Sequence, residues 1–154
     1  MAFVSNKRLY NDLVELSFSD YPKVSVDWSS VEENCSLVKM NLWCENLSCP
    51  YNGFILPVTM EFVNYPHSHP FLKFEVDVFH PNVYQNGNVC LNILSVKEWS
   101  PGITLRVIFI TLLQLLAAPN ASDSARSEAG EAYMAGNWEQ QVVQVLINSN
   151  CKRI

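Results

Sequence analysis

Phe79-His80-Pro81-Asn82-Val83-Tyr84-Gln85-Asn86-Gly87-Asn88-Val89-Cys90-Leu91-Asn92-Ile93-Leu94, followed by Trp99-Ser100-Pro101, is the stretch on which the reading of this chain turns. It sets turn formers, an amide and a thiol between two apolar regions. A cysteine taken alone is read most simply as a small buried hydrophobe. Proline, glycine and asparagine around it build loops rather than cores. The second reading of Cys90 is therefore a thiol held in a loop to be used as a nucleophile.

Working outward, 154 residues predict a single domain over 1–154, large enough to bury roughly 70% of the surface its unfolded chain exposes. Apolar residues at 49% against 16% charged, with no repeat or low-complexity tract, place the chain among folded globular proteins rather than disordered ones. The longest apolar run, 105–118, is interrupted by Arg106, Thr111 and Gln114 and is too short for a bilayer, so it predicts a buried helix and no membrane partner. The first residues lack the basic segment, apolar core and small-residue cleavage site of a secretory signal, and the expected location is cytoplasm and/or nucleus. Cysteines at 35, 44, 49, 90 and 151 form no Cys-x-x-Cys pair, which predicts reduced thiols. Cys44 and Cys49 would need partners that the sequence does not supply to hold a metal, so none is expected. A net charge of −5 and no Lys/Arg cluster argue against nucleic acid, whose phosphates demand local positive charge. A neutral-to-acidic surface suits protein partners.

Along the chain, Leu9, Leu13 and Leu16 recur at helical spacing within 7–17, with Ser5 as the expected N-cap and Lys7, Arg8 and Asp12 on the polar face. Strands are expected at 23–28, 36–43, 54–62 and 72–78; alternation is clearest in the last two. Asn52-Gly53 and Asn64-Tyr65-Pro66 are turn chemistry, and such short connections favour an antiparallel meander over parallel crossovers. Pro57 lacks an N–H, so a bulge is expected there. Thr104 can cap a helix in which Ile103 and Ile108 form a hydrophobic staple. That helix is apolar nearly all round, hence central, and Pro119-Asn120 stops it. Small-residue helical sequence with Ala129 and Tyr133 follows, and Gly136-Asn137 breaks it before a last helix carrying Trp138, Val142, Val145 and Leu146. The expected class is α+β: an N-terminal helix, a four-stranded antiparallel meander, a loop bearing Cys90, a central helix and C-terminal helices.

His80-Pro81-Asn82, Cys90-Leu91-Asn92-Ile93-Leu94, Trp99-Ser100-Pro101 and an apolar helix ending in Pro119-Asn120 recur together in an order that resembles the ubiquitin-conjugating enzymes, over residues 5–150 or thereabouts. The resemblance implies the UBC fold and an acyltransferase. Such an enzyme accepts ubiquitin or a ubiquitin-like modifier from an activating enzyme as a thioester on Cys90. It then passes the modifier to a lysine-bearing protein, usually with a ligase. No cofactor is implied in the chain itself, since the activating enzyme consumes the ATP. By resemblance Asn82 stabilises the oxyanion formed when the lysine attacks, and bracing of the loop by the same amide stays open beside that role. Asp123 matches the family acid that orients the acceptor lysine and assists loss of its proton; a solvated or capping Asp is the other reading. Tyr84 matches a lysine-lining tyrosine of the SUMO branch, or is a surface turn residue. His80 and Pro81 support the site, His80 fixing the turn rather than acting as a base. Partner contacts are carried over to Lys7 and Arg8 on the first helix, His67 in the Tyr65-Pro66-His67-Ser68-His69-Pro70 turn, and Ser100-Pro101. For the two bases a solvated face is the alternative. His67 and His69 lack a third ligand for a metal.

Three branches compete for the modifier. Residues 87–94 and Tyr65-Pro66-His67 look most like the NEDD/Rub-conjugating branch, 79–84 like the SUMO branch and Trp99-Ser100-Pro101 like the ubiquitin enzymes. Phe71 stands where the SUMO branch has a lysine, and the long N-terminal extension of the NEDD branch is missing. The expectation is a conjugating enzyme with a slight lean to a NEDD/Rub-type modifier. Its alternatives are a SUMO-conjugating enzyme, a non-catalytic ubiquitin-binding module of the same fold, and a cysteine hydrolase using His80 as base.

Overall fold

Alternating burial along the central strands organises the molecule. The computed structural model describes residues 6–154. Its elements run α1 (Lys7–Phe18), β1 (Lys23–Val26), α2 (Trp28–Glu33), β2 (Leu37–Trp43), β3 (Ile55–Glu61), β4 (Phe71–Phe74), α3 (Leu105–Ala117), α4 (Ser127–Ala135) and α5 (Trp138–Asn148). The strands form one antiparallel sheet in the order β1-β2-β3-β4, the expected meander. Val38, Met40 and Leu42 of β2, Leu56, Val58 and Met60 of β3, and Leu72 and Phe74 of β4 turn to the core. A sheet with one apolar face must cover it. Leu105, Ile108, Phe109, Leu112, Leu113 and Leu116 of α3 and Leu9, Leu13 and Leu16 of α1 join the same core. Each such large side chain contributes about 1.5–3 kcal/mol when fully buried.

Local chemistry sets the helix ends. Ser5, the expected cap of α1, lies outside the described residues; Asn6 caps the helix, its side chain accepting from the Leu9 N–H at 3.0 Å. Thr104 caps α3 as expected, accepting from the Val107 N–H at 3.3 Å, and Gly136 closes α4 at φ +82°, a left-handed conformation open to glycine at little cost.

Three strand expectations are corrected. The first strand stops at Val26 because Asp27 caps α2, accepting from the N–H groups of Ser29 (3.1 Å) and Ser30 (3.4 Å). Pro57 makes no bulge: it pairs with Asn41 in an unbroken β2–β3 register from Leu37↔Glu61 to Trp43↔Ile55. Its effect falls on the other neighbour. The register that pairs Val58 with Phe74 places Pro57 opposite Glu75, and the Glu75 N–H donates to the Pro57 carbonyl at 2.9 Å. Pro57 has no N–H to return, so β4 ends at Phe74 instead of running to Val78.

Candidate active site

Residues 79–90 form a short hairpin closed by a Val83↔Val89 bridge, with the Tyr84 N–H donating to Asn88 O at 2.8 Å and the Gly87 N–H to Tyr84 O at 2.9 Å. The hairpin docks on the free edge of β4, where the Phe74 N–H donates to Gly87 O at 2.9 Å. Only glycine fits at that contact. Gly87 has φ +97°, and a Cβ there would lie 2.2 Å from Phe74 O, a backbone atom that cannot swing aside. Gly87→Ala is expected to cost at least about 2 kcal/mol in a denaturant titration, from positive-φ strain plus the clash. From the hairpin's end, the Cys90 N–H donates to Asn82 O at 2.8 Å, which fixes a half-buried thiol at the rim of a groove.

Behind the hairpin the polar groups are paired and sealed. The Phe79 carbonyl accepts from the Tyr51 hydroxyl and from Trp138 Nε1 (3.0 Å). His80 is fully buried; its Nδ1 accepts from the Asn82 N–H at 2.9 Å and its Nε2 lies 2.7 Å from Leu115 O near the end of α3. An acceptor on one side and a carbonyl on the other require the neutral ring protonated at Nε2. Burial lowers its pKa to about 4 despite the Leu115 carbonyl. With both nitrogens committed, His80 ties the turn to α3 and offers no base to Cys90, which removes the residue on which a hydrolase reading depended.

The same burial gives a pH dependence. Unfolded, the ring gains a proton below about 6.5, whereas folded it resists one until about 4. The unfolded chain thus binds more protons in that window. Stability present above pH 6.5 is lost as pH falls toward 4, by about 3 kcal/mol for this group. Urea midpoints at neutral pH and near the lower end of the window should differ less in His80→Gln than in the parent.

Asn82 is 3% exposed, and both ends of its side-chain amide are spent on the segment after α3. Its Oδ1 accepts from the Asn120 N–H at 2.8 Å, and its Nδ2 donates to Asn120 O at 2.8 Å and, at the limit of bonding, to Asp123 O at 3.5 Å. Buried Pro81 adds its carbonyl, which accepts from the N–H groups of Ala125 (2.7 Å) and Arg126 (3.2 Å). Arg126 in turn pairs with Asp77 at 2.7 Å and stacks over the Phe79 ring at 4.9 Å. The Asn82 amide therefore braces this segment and sets where Asp123 stands. Cys90, Asn82 and Asp123 line one groove of about 340 Å³ together with Leu115, Ala118 and Asn120. The Asp123 side chain is exposed to solvent there. Tyr84 lies outside this lining, 47% exposed on the hairpin.

The segments that carry the five expected partner-contact residues are joined: the start of α1 bonds to the 99–103 loop through Arg8, and that loop to the 65–70 turn through Trp99. Trp99 Nε1 donates to Pro66 O at 2.8 Å and its ring lies 6.0 Å from that of Tyr65. Lys7, His67, Ser100 and Pro101 are exposed. Arg8 is not a free base: its guanidinium donates to Asp12 (3.0 Å), Pro101 O (2.7 Å) and Ile103 O (3.0 Å) and lies over the Tyr65 ring. Asp12 is likewise no part of a solvated face, being buried and accepting also from the Tyr65 hydroxyl. Arg8 thus supports the loops that a partner would touch. His69 stacks edge-on against Phe71 at 5.0 Å. Among the described residues no three His, Cys, Asp or Glu side chains gather as a metal site needs, and no helix is long and apolar enough to cross a membrane.

Sequence reasoning gave no site role to Tyr51, Leu115 or Arg126, and it read Trp138 only as part of the last helix and Asn120 only as part of a helix stop. Tyr51 and Trp138 carried a signal, since a buried aromatic with a polar tip needs a partner. A family model described as ubiquitin-conjugating enzyme matches residues 8–145.

Proposed function

The chain belongs to the ubiquitin-conjugating enzyme family, and from that premise we propose that the Cys90 sulfur carries the modifier. At the level of the family it is a conjugating transferase for ubiquitin or a ubiquitin-like protein, working with an activating enzyme and a ligase. The observation that carries the finer reading is that Cys90 and Asn82 of the hairpin line one open groove with Asp123, which comes from beyond α3.

In this reading the Cys90 thiolate attacks the modifier's terminal carbonyl, which the activating enzyme presents as a thioester, and the activating enzyme's thiolate leaves. Thioester exchange needs a thiolate but no strong base, which agrees with a His80 sealed away from the groove. An acceptor lysine amine then attacks the Cys90-bound carbonyl, the oxyanion collapses, and the Cys90 thiolate departs as the amide forms. Asp123, solvent-facing at the groove, assists removal of the proton from the attacking amine. Asn82 holds Asp123's segment in place; to stabilise the oxyanion as well, its Nδ2 would turn to it the second N–H, which reaches Asp123 O only at 3.5 Å, and keep the one bonded to Asn120 O. His80 and Pro81 are supports. Tyr84 is assigned a place beside the incoming substrate, on the exposed arm of the hairpin.

Residues 1–154 act as one catalytic domain, in the cytoplasm and/or nucleus. Lys7, His67, Ser100 and Pro101 meet the activating enzyme and ligase, with Arg8 as their scaffold. The modifier is of NEDD/Rub type on the likeness of residues 87–94 and Tyr65-Pro66-His67. SUMO is the second reading, from residues 79–84. It is weakened by Phe71 and by an α1 whose Arg8 is bound internally. A non-catalytic binding module would have no use for a half-buried thiol at the rim of this groove. Incubation with each activating enzyme, ATP and its modifier, resolved on gels with and without reductant, tests the branch. A reductant-sensitive adduct with the NEDD/Rub-type modifier supports the lean, one with SUMO replaces it, and none with any modifier favours the module.

A further inference from the structure

Cys44 and Cys49 take no part in the chemistry above. They flank the first turn of the connection between β2 and β3, where the Cys49 N–H donates to Asn46 O at 3.0 Å and the Asn46 side chain accepts from Ser48. This turn folds the chain back so that the two cysteine side chains come side by side, with the Cys44 thiol turned to Asn46 O at 4.0 Å. Both residues are buried, at 6% and 2% exposure. Cys44 nevertheless forms part of the wall of a cavity of about 330 Å³ between this connection and the end of α3, with Lys23, Asn46, Gln114 and Ala118.

We propose that Cys44 and Cys49 are a reversible dithiol site, oxidised to an intramolecular disulfide by a small hydroperoxide entering that cavity. Their access is unequal. Cys44 lines the cavity and Cys49, 2% exposed, does not, so Cys44 is the sulfur that the peroxide meets and Cys49 the resolving one; the lowered pKa of Cys44 beside Cys49 acts in the same direction. The Cys44 thiolate attacks the peroxide oxygen and becomes a sulfenic acid, and the alcohol or water departs with a proton. Cys49 sulfur then attacks the sulfenic sulfur, the S–S bond forms, and the sulfenic oxygen leaves as water with the Cys49 proton. Two thiols lose two electrons and two protons, and the peroxide is reduced to an alcohol, or to water, plus one water. A thiol reductant reverses the step by exchange. The site lies close to the catalytic segment: two residues beyond Cys49, fully buried Tyr51 holds the Phe79 carbonyl just ahead of His80.

The inference does not depend on the role given to Cys90, because its test reads mass and not transfer. The unaltered chain is exposed to a few equivalents of hydrogen peroxide, quenched, alkylated with a maleimide in denaturant and digested without reductant. The peptide or linked pair containing Cys44 and Cys49 is expected to carry no maleimide, to be lighter by two hydrogen atoms, and to regain both thiols with dithiothreitol. In Cys49→Ser, dimedone should instead trap a sulfenic acid on Cys44. Maleimide on both sulfurs of the peroxide-treated unaltered chain, or a bridge from Cys44 to Cys90, would overturn the proposal.

Discussion

A Cys90→Ala variant is expected to lose modifier loading and lysine transfer together, by on the order of 10³-fold or more, since no other thiol lines the groove to exchange with the incoming thioester. Folding should be nearly unaffected. The structural contribution at this position is the backbone N–H bonded to Asn82 O, which alanine retains, and the side chain is only half-buried. A stability change above about 1 kcal/mol would exceed what a partly exposed position usually gives and would point to a packing role for the sulfur. Loading read by gel shift, beside an unfolding curve of the same sample, separates the two.

Asn82→Ala should have the second-largest effect, and it should divide between the two half-reactions. Removing the amide leaves the Asn120 N–H and carbonyl without their partners, an expected cost of about 1–3 kcal/mol for each group that stays buried. Transfer to lysine should slow by about 10²–10³, the usual loss for an oxyanion donor, and displacement of Asp123 from the groove acts in the same direction. Loading requires neither group and should persist. Asn82→Asp keeps an oxygen to accept from the Asn120 N–H but sets a second, acceptor-only oxygen against Asn120 O in a nearly fully buried place, so it should be at least as unstable as Asn82→Ala. If bracing dominates, the loss of transfer across the two variants should follow their loss of stability; if the donor dominates, both should be equally slow whatever their stabilities. Pulse-chase discharge of a preloaded enzyme onto free lysine measures the transfer step alone.

The parts of this fold that depend on neighbours in sequence were legible in it. The leucines of α1, the alternation in β2 and the Thr104 cap of α3 all follow from local period and local bonding. α2 was also local, written in Asp27 followed by Ser29 and Ser30, but the β-branched Val24 and Val26 drew the strand reading past it. Pro57 marked an anomaly without revealing its result. A missing N–H breaks whichever ladder that side of the strand faces, and only the β3–β4 register shows that this is the one ending at Glu75. Arg8 was misread for a related reason: its carbonyl partners stand 93 and 95 residues away, so sequence shows a base on a helix face and nothing of what satisfies it. Among the candidate site residues, motif order pointed to Cys90 and Asn82, and counting from Pro119-Asn120 pointed to Asp123. The closed pairing of Asn82 with Asn120 and of His80 with Leu115 required the approach of α3 to the hairpin, a long-range contact with no local signature.

Peptide mapping of the enzyme after loading tests most directly whether Cys90 is the carrier. The protein is incubated with its activating enzyme, ATP and modifier, quenched in acid without reductant and digested. The expected result is the modifier's C-terminal residues joined to the Cys90 sulfur in a bond that thiols release. Acylation at any other side chain, with Cys90 still free to alkylate, would contradict it.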